Sequence, residues 1–227
     1  MSAEFDEFAS GYDAAMDHPL KKISGADQDD FLRPKVARLL EMLAQSIENV
    51  KFLDFGCGTG DFLRLLCGER ADWQLEGTDI SEAMLDEARK KSPVMRSVRL
   101  FPISELGHAP TYDVIAATCV FHHIPPAMWV ENFSRVLQLL KPGGRFYLFE
   151  HNPWNPLTQV VVRMAEIDRN AVLLSAPTAR RCMREAGFTG MRTEYLMFAP
   201  PRLGIARGVD GLLRNVPMGA QYVVEAV

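Results

Sequence analysis

The stretch FLDFGCGTGDF, Phe52 to Phe62, limits most strongly what this chain can fold into. Three glycines occupy five positions directly behind a short apolar run. The pattern predicts a strand that ends in a turn cleared of side chains, with a helix following at once. Whatever the turn faces comes close to the backbone itself.

The segments around that turn alternate between strand-like and helix-like patterns, which implies a mostly parallel sheet covered on both faces. VKFLDF (50–55) is the first strand, and DFLRLLCGE the first helix after it. WQLEGTDI (73–80) follows as a strand closing on Asp79. Next comes the helix SEAMLDEARKKS, with Ser81 as its N-cap. VRLFPI (98–103) is the third strand. YDVIAATCVF (112–121) is a continuous apolar run, as expected of a strand buried on both faces. The helix AMWVENFSRVLQLL leads through a KPGG turn, Lys141 to Gly144, to the strand RFYLFEH (145–151).

A single domain accounts for all 227 residues. Residues 1–49 form a helical cap, with a short helix in FDEFASGYDAAMDHP and a longer one in DDFLRPKVARLLEMLAQSI, Pro34 lying in or near its first turn. Residues 50–151 are the ligand-binding core, and 152–177 an irregular insert with three prolines. Residues 178–227 add the helix TARRCMREAGF and two strands, MRTEYLMF and AQYVVEAV. The cap and the insert are additions to the core and mark its substrate end.

Several classes are excluded. No apolar run approaches the roughly 20 residues of a membrane span. The acidic start MSAEFDEFASGYD is not a secretory signal, and the four scattered cysteines carry no metal-ligand spacing. These features point to a cytoplasmic protein with reduced thiols and no metal. Residues 1–49 hold ten acids against five bases, and 150–227 seven against nine. Neither part makes a basic stripe, so nucleic acid is disfavoured as a partner.

The identity of the ligand follows by comparison of motifs. A phosphate-binding P-loop needs a Lys-Ser or Lys-Thr that is absent here. The dinucleotide fingerprint needs a glycine at position 61, which is Asp61. The strand before the glycines contains an acid, Asp54, which would repel a pyrophosphate and suits an ammonium. Asp79, at the end of the next strand, suits two ribose hydroxyls. An ammonium and a ribose with no phosphate between them describe S-adenosylmethionine.

FLDFGCGTGDF, EGTDIS, YDVIAATCVFHHI and LKPGGRFYLFEH, in this order and spacing, resemble the class I S-adenosylmethionine-dependent methyltransferases. Within them the chain looks like the small-molecule branch that includes the ubiquinone and menaquinone C-methyltransferases. The match covers residues 50–151. The resemblance implies an α/β, doubly wound, seven-stranded sheet with its last strand antiparallel, an N-terminal helical lid and an insert after strand five. It implies that Gly56, Cys57, Gly58 and Gly60 contact the methionine portion, and that Ile80 covers the adenine. Thr118 and Cys119 would lie beside the methionine, and Tyr12 would close over the cofactor. The family often has an acid after the third strand; Ile103 and Ser104 stand there instead, which favours a backbone contact to the adenine.

Methyl transfer is an in-line displacement that needs alignment and exclusion of water. A general base is needed only for a protonated acceptor. The candidates are His122, His123 and His151. Of the adjacent pair, one should face the pocket and the other pack outward, with His123 at the family position. His151 lies past strand five, with Glu150 as an orienting partner. The HNPWNP turn, 151–156, follows strand five rather than strand four, so it is not the motif of the DNA amino-methyltransferases. The Val- and Leu-rich insert suits a small apolar or aromatic acceptor, whether methylated on carbon, oxygen or nitrogen. Two other readings stand beside this one: a cofactor-binding protein without turnover, and a protein or RNA methyltransferase.

Overall fold

Alternating side chains assign the two faces of the sheet. In strand β1 (Lys51–Phe55), Phe52 packs into one apolar cluster while Leu53 and Phe55 pack into another. The computed structural model describes residues 5–11, 27–43, 48–200, 202 and 206–227. β1 pairs in parallel with β2 (Gln74–Asp79) and β4 (Tyr112–Thr118). β3 (Arg99–Pro102) extends the sheet beyond β2, and β5 (Leu140–His151) beyond β4. β7 (Gln221–Ala226) then inserts antiparallel between β5 and β6 (Arg192–Leu196). The order is β3-β2-β1-β4-β5-β7-β6, the α/β doubly wound sheet that was expected.

Helices α1 (Gln28–Met42), α2 (Asp61–Glu69) and α3 (Glu82–Lys91) cover one face. Phe62, Leu63 and Leu66 of α2 meet Leu39 of α1 and Phe52 there. Helices α4 (Trp129–Leu139) and α6 (Ala176–Glu185) cover the other, where Phe133 stacks on Phe121 with ring centroids 4.1 Å apart. Ser81 caps α3 as anticipated, accepting from the Met84 N–H at 3.1 Å.

Three local readings are corrected. Pro34 is not in the first turn of α1 but is its seventh residue, because Asp27 and Asp30 form a reciprocal cap that starts the helix earlier. KPGG is not a turn before β5 but part of that strand, absorbed as an irregular register opposite Tyr112 and Val114. The insert is not irregular throughout. Asn155 caps α5 (Pro156–Met164), with Pro156 at its first position, and a 3-10 turn at Glu166–Asp168 follows. A further helix, α7 (Ala206–Leu213), had no clear signal in the sequence. Among the described residues no helix is long and apolar enough to cross a membrane.

Candidate active site at the carboxyl ends of the strands

The loop after β1 is held by its neighbour strand. Gly56 N–H and Cys57 N–H donate to the Thr78 carbonyl at 2.8 and 3.0 Å. Gly58 N–H donates to Asp79 Oδ2 at 2.8 Å, and Ser81 N–H to Oδ1 at 2.9 Å. Gly56, Gly58 and Gly60 all have positive φ, at 79, 51 and 73°. A Cβ on Gly56 would lie 2.6 Å from Val120 Cγ2, and one on Gly60 2.7 Å from Met95 Cε. At Gly58 nothing stands within 4 Å. The outer glycines therefore permit packing, while the middle one presents open backbone.

Asp54 is 1% exposed, on the α1 face of the sheet, and its Oδ1 has no hydrogen-bond partner among the described residues. Burial, reinforced by the Asp79 carboxylate and partly offset by Lys35, pushes its carboxyl up to about 8. Burial likewise raises Asp79, against the backbone N–H groups of Ser81 and Gly58 that hold it down. The buried Lys35 of α1 donates to Cys119 Sγ at 3.3 Å. Cys119 itself has φ +58°, an uncommon conformation for a residue with a Cβ. Burial pushes its thiol up, but Lys35 and His151 outweigh that and leave it at about 7. Gln221 Nε2 lies 3.8 Å from the same sulfur and 3.4 Å from His151 Nδ1. Among the described residues Thr118 Oγ1 and Gln221 Oε1 also lack partners. This cluster of buried, unpartnered acceptors fits a polar, cationic ligand.

On the other face of the same edge lies a second cluster. His122 is 1% exposed, its Nδ1 2.6 Å from Glu150 Oε2 and its Nε2 3.5 Å from Asp168 Oδ1. Glu150 Oε1 also accepts from the Phe121 N–H at 2.7 Å. His123 turns its Nε2 toward the same Asp168 oxygen, 3.4 Å away, and meets Phe5 edge-on. Burial lowers His122, yet Glu150 and Asp168 overcome it and hold the imidazole well above its usual value. Burial and the charge on His122 push His123 down to about 3. Neither histidine packs outward. β4 stops at Thr118 and the pair lies in a 3-10 turn, Phe121–His123, where strand alternation no longer holds.

The other expected residues sit at the same rim. Ile80 is 40% exposed beside Asp79, an open apolar surface, while Cys57 is buried. Ile103 is half-buried and Ser104 exposed, and the Ile103 carbonyl accepts from Arg135 at 3.0 Å. Tyr12 lies outside the described residues. Residues 5–11 cross the site: Asp6 Oδ1 accepts from Ser81 Oγ at 2.5 Å, and Phe5, Phe8 and Ala9 pack with Met84, Ala165 and Ile167. On α5, Leu157, Val160 and Met164 are exposed on one side, next to the exposed Trp154. A separate cavity of about 180 Å³ opens at the amino ends of the strands, where Glu76 accepts from Tyr112 and pairs with Lys51.

The sequence reading missed Lys35, Asp168 and Gln221. Lys35 is one of several charged residues along α1, and Asp168 lies 45 positions from His123 in a stretch with no motif. The one available signal was a lysine at a spacing, 32–35–36–39, that otherwise runs apolar.

Residues 53–146 match the family model described as a methyltransferase domain. The chain is 31% identical over 144 residues to the carboxy-S-adenosyl-L-methionine synthase of Campylobacter lari, covering 60% of this chain and 61% of that protein. It is 30% identical over 158 residues to the demethylmenaquinone methyltransferase of Symbiobacterium thermophilum, covering 64% and 57%. The chain thus spans about three fifths of the length of these relatives. Among solved structures it resembles a Thermotoga maritima S-adenosylmethionine-dependent methyltransferase, described as a possible histamine N-methyltransferase (TM-score 0.66, 17% identity, 100% and 98% covered). It also resembles the complex of the Haloferax volcanii Trm112 activator with a putative methyltransferase (TM-score 0.68, 18% identity, 98% and 96% covered). The fold is that of the S-adenosylmethionine-dependent methyltransferases. Residues 53–146, less than half of the chain, are similar to that methyltransferase domain.

Proposed function

We propose that the chain binds S-adenosylmethionine and transfers its methyl group to a small apolar or aromatic acceptor. The observation that carries this is the buried Asp54 carboxylate, one oxygen unpartnered, beside a glycine loop whose middle backbone is open. Burial without a partner makes the ionised form costly and keeps the proton on Asp54, and a ligand ammonium stabilises the ionised form. Asp79, free of phosphate-binding company, takes the ribose hydroxyls with the lone pairs that Gly58 and Ser81 leave. Ile80 covers one side of the adenine, and Ile103 and Ser104 border it. Thr118 and Cys119 line the methionine end.

When bound, S-adenosylmethionine supplies a methyl carried on a sulfonium, which leaves as a neutral thioether. The chain's own part is to orient the acceptor and to exclude water. Residues 5–11 and the insert, packed on each other through Ala9 and Ile167, cover the site from above. His151, at the end of β5 on the Cys119 face, takes the acceptor's proton where the acceptor carries one, and His123 walls the acceptor side. The apolar side of α5 and Trp154 favour an apolar acceptor, and so does the demethylmenaquinone methyltransferase among the relatives.

Transfer of labelled methyl from S-adenosylmethionine into source-cell extract, split into lipid, polar small-molecule, protein and RNA pools, tests the reading. Label in the lipid or small-molecule pool, lost with Asp79→Ala, is expected. Label in protein or RNA overturns the acceptor class. Tight cofactor binding with no label anywhere turns the reading to a binding protein without turnover.

A further inference from the structure

The cluster of His122, His123 and Asp168 reaches beyond methyl transfer. The three donor atoms lie within 4.8 Å of one another, at the junction of the core and the insert. Two of the separations are informative. His122 Nε2 and His123 Nε2 stand 3.5 and 3.4 Å from one and the same oxygen, Asp168 Oδ1. Those distances are long for charge-assisted hydrogen bonds, which close to about 2.7–2.9 Å. They match the edge of a coordination tetrahedron. With metal–nitrogen and metal–oxygen bonds of about 2.05 and 2.1 Å, a tetrahedral edge is about 3.4 Å, whereas an octahedral one is about 2.9 Å.

The surroundings fit as well. Glu150 holds His122 Nδ1 at 2.6 Å, the carboxylate–histidine arrangement that orients a ligating imidazole and leaves its Nε2 lone pair free for a cation. The backbone is fixed on both sides: Val172 N–H donates to the His122 carbonyl at 2.8 Å, and Ala171 N–H to the Asp168 carbonyl at 2.9 Å. Charge favours a dication. Glu150 and Asp168 bring two negative charges into the interior, and two neutral imidazoles with one divalent cation balance them. His123, about a fifth exposed, marks the side from which a fourth ligand enters.

We propose that His122, His123 and Asp168 form a three-ligand site for a zinc-type divalent transition cation, with Glu150 as the positioning residue behind His122. The cation takes the place of the proton shared between His122 and Asp168. It fastens the Glu166–Asp168 turn of the insert to the exit of β4, and its fourth position opens toward the acceptor rim.

The test uses the full chain, stripped with chelator and dialysed against zinc or cobalt(II), with metal per chain measured directly. One bound ion per chain and the visible absorption of tetrahedral cobalt(II) are expected. His123→Ala and Asp168→Asn should each weaken binding at least tenfold, and Glu150→Gln ten- to a hundredfold. His123→Ala truncates a partly exposed side chain, so it reports even if the buried variants misfold. The proposal is overturned if the wild type retains no more metal than the His123→Ala/Asp168→Asn double variant. A thiolate-to-cobalt charge-transfer band also overturns it, by moving the ion to the cysteines. S-adenosylmethionine binding is measured on the stripped chain in parallel. Intact cofactor binding without metal uptake sinks this inference and leaves the proposed function standing.

Discussion

Asp79 Oδ2 accepts the Gly58 N–H at 2.8 Å, so the end of β2 clamps the loop that leaves β1. The acid therefore shapes the loop, besides the ribose contact that the proposed function gives it. Asp79→Ala should weaken S-adenosylmethionine binding about ten- to a hundredfold, the loss of charge-assisted bonds worth roughly 1.5–3 kcal/mol. Calorimetric titration reads this directly, and an unchanged affinity would remove Asp79 from the site.

Asp54 makes the protein sensitive to pH in a defined direction. Its carboxyl sits at about 8 in the fold against 3.8 ordinarily. Between those values the unfolded chain has lost a proton that the folded chain keeps, so stability falls as pH rises through the window and levels off above 8. Pairing with an ammonium ionises the group. Cofactor binding at pH 7 should then release about one proton, visible as a dependence of the binding heat on buffer ionisation. Asp54→Asn should reduce the slope by that one proton, leaving the part due to Asp79 and His122, and remove the proton release.

The glycines should separate under substitution. Gly56→Ala combines φ +79° with a 2.6 Å approach to Val120, so it should lower thermal stability more than Gly58→Ala does. Gly58→Ala meets only the left-handed backbone penalty, about 1–2 kcal/mol, because nothing occupies the space its methyl enters. Its larger effect should be on cofactor affinity. Equal affinity in wild type and Gly58→Ala would mean that no ligand approaches that backbone.

Lys35 and Cys119 form a pair whose chemistry is accessible to reagents. Lys35→Met should raise the thiol from about 7, and the pH midpoint of Cys119 alkylation should move up with it. The rate at pH 7 should fall. A profile that stays in place would leave His151 as the group that sets the thiol.

His151→Ala should lower kcat for an acceptor that must lose a proton, with S-adenosylmethionine affinity held within about twofold. Parallel losses in kcat and affinity would make His151 a support for Cys119 and Gln221 instead.

What the sequence disclosed and what it hid divide along physical lines. The glycine run, Asp54 and Asp79 could be placed at strand ends because an apolar run and the residues that stop it are consecutive in the chain, although the bonds that hold the loop come from the neighbouring strand β2. The seven strands followed from period and run length. His122 was misjudged because strand alternation was carried past Thr118, where the backbone has turned into a 3-10 segment. Asp168 and Lys35 could not be placed, since their partners come from elements far along the chain and no spacing announces them. Pro34 misled because a reciprocal Asp27–Asp30 cap moved the start of the helix upstream.

The insert after β5 is tied down by main-chain bonds at its two ends, Asn152 N–H to the Ala220 carbonyl and Val172 N–H to the His122 carbonyl. Backbone ties do not depend on which side chains lie between them. Under the proposed function the stretch from 153 to 171 is therefore an exchangeable cartridge: outside Asn155, Thr158, Ala165, Ile167 and Asp168, whose side chains touch the core, its sequence can change with the acceptor while both sockets stay as they are.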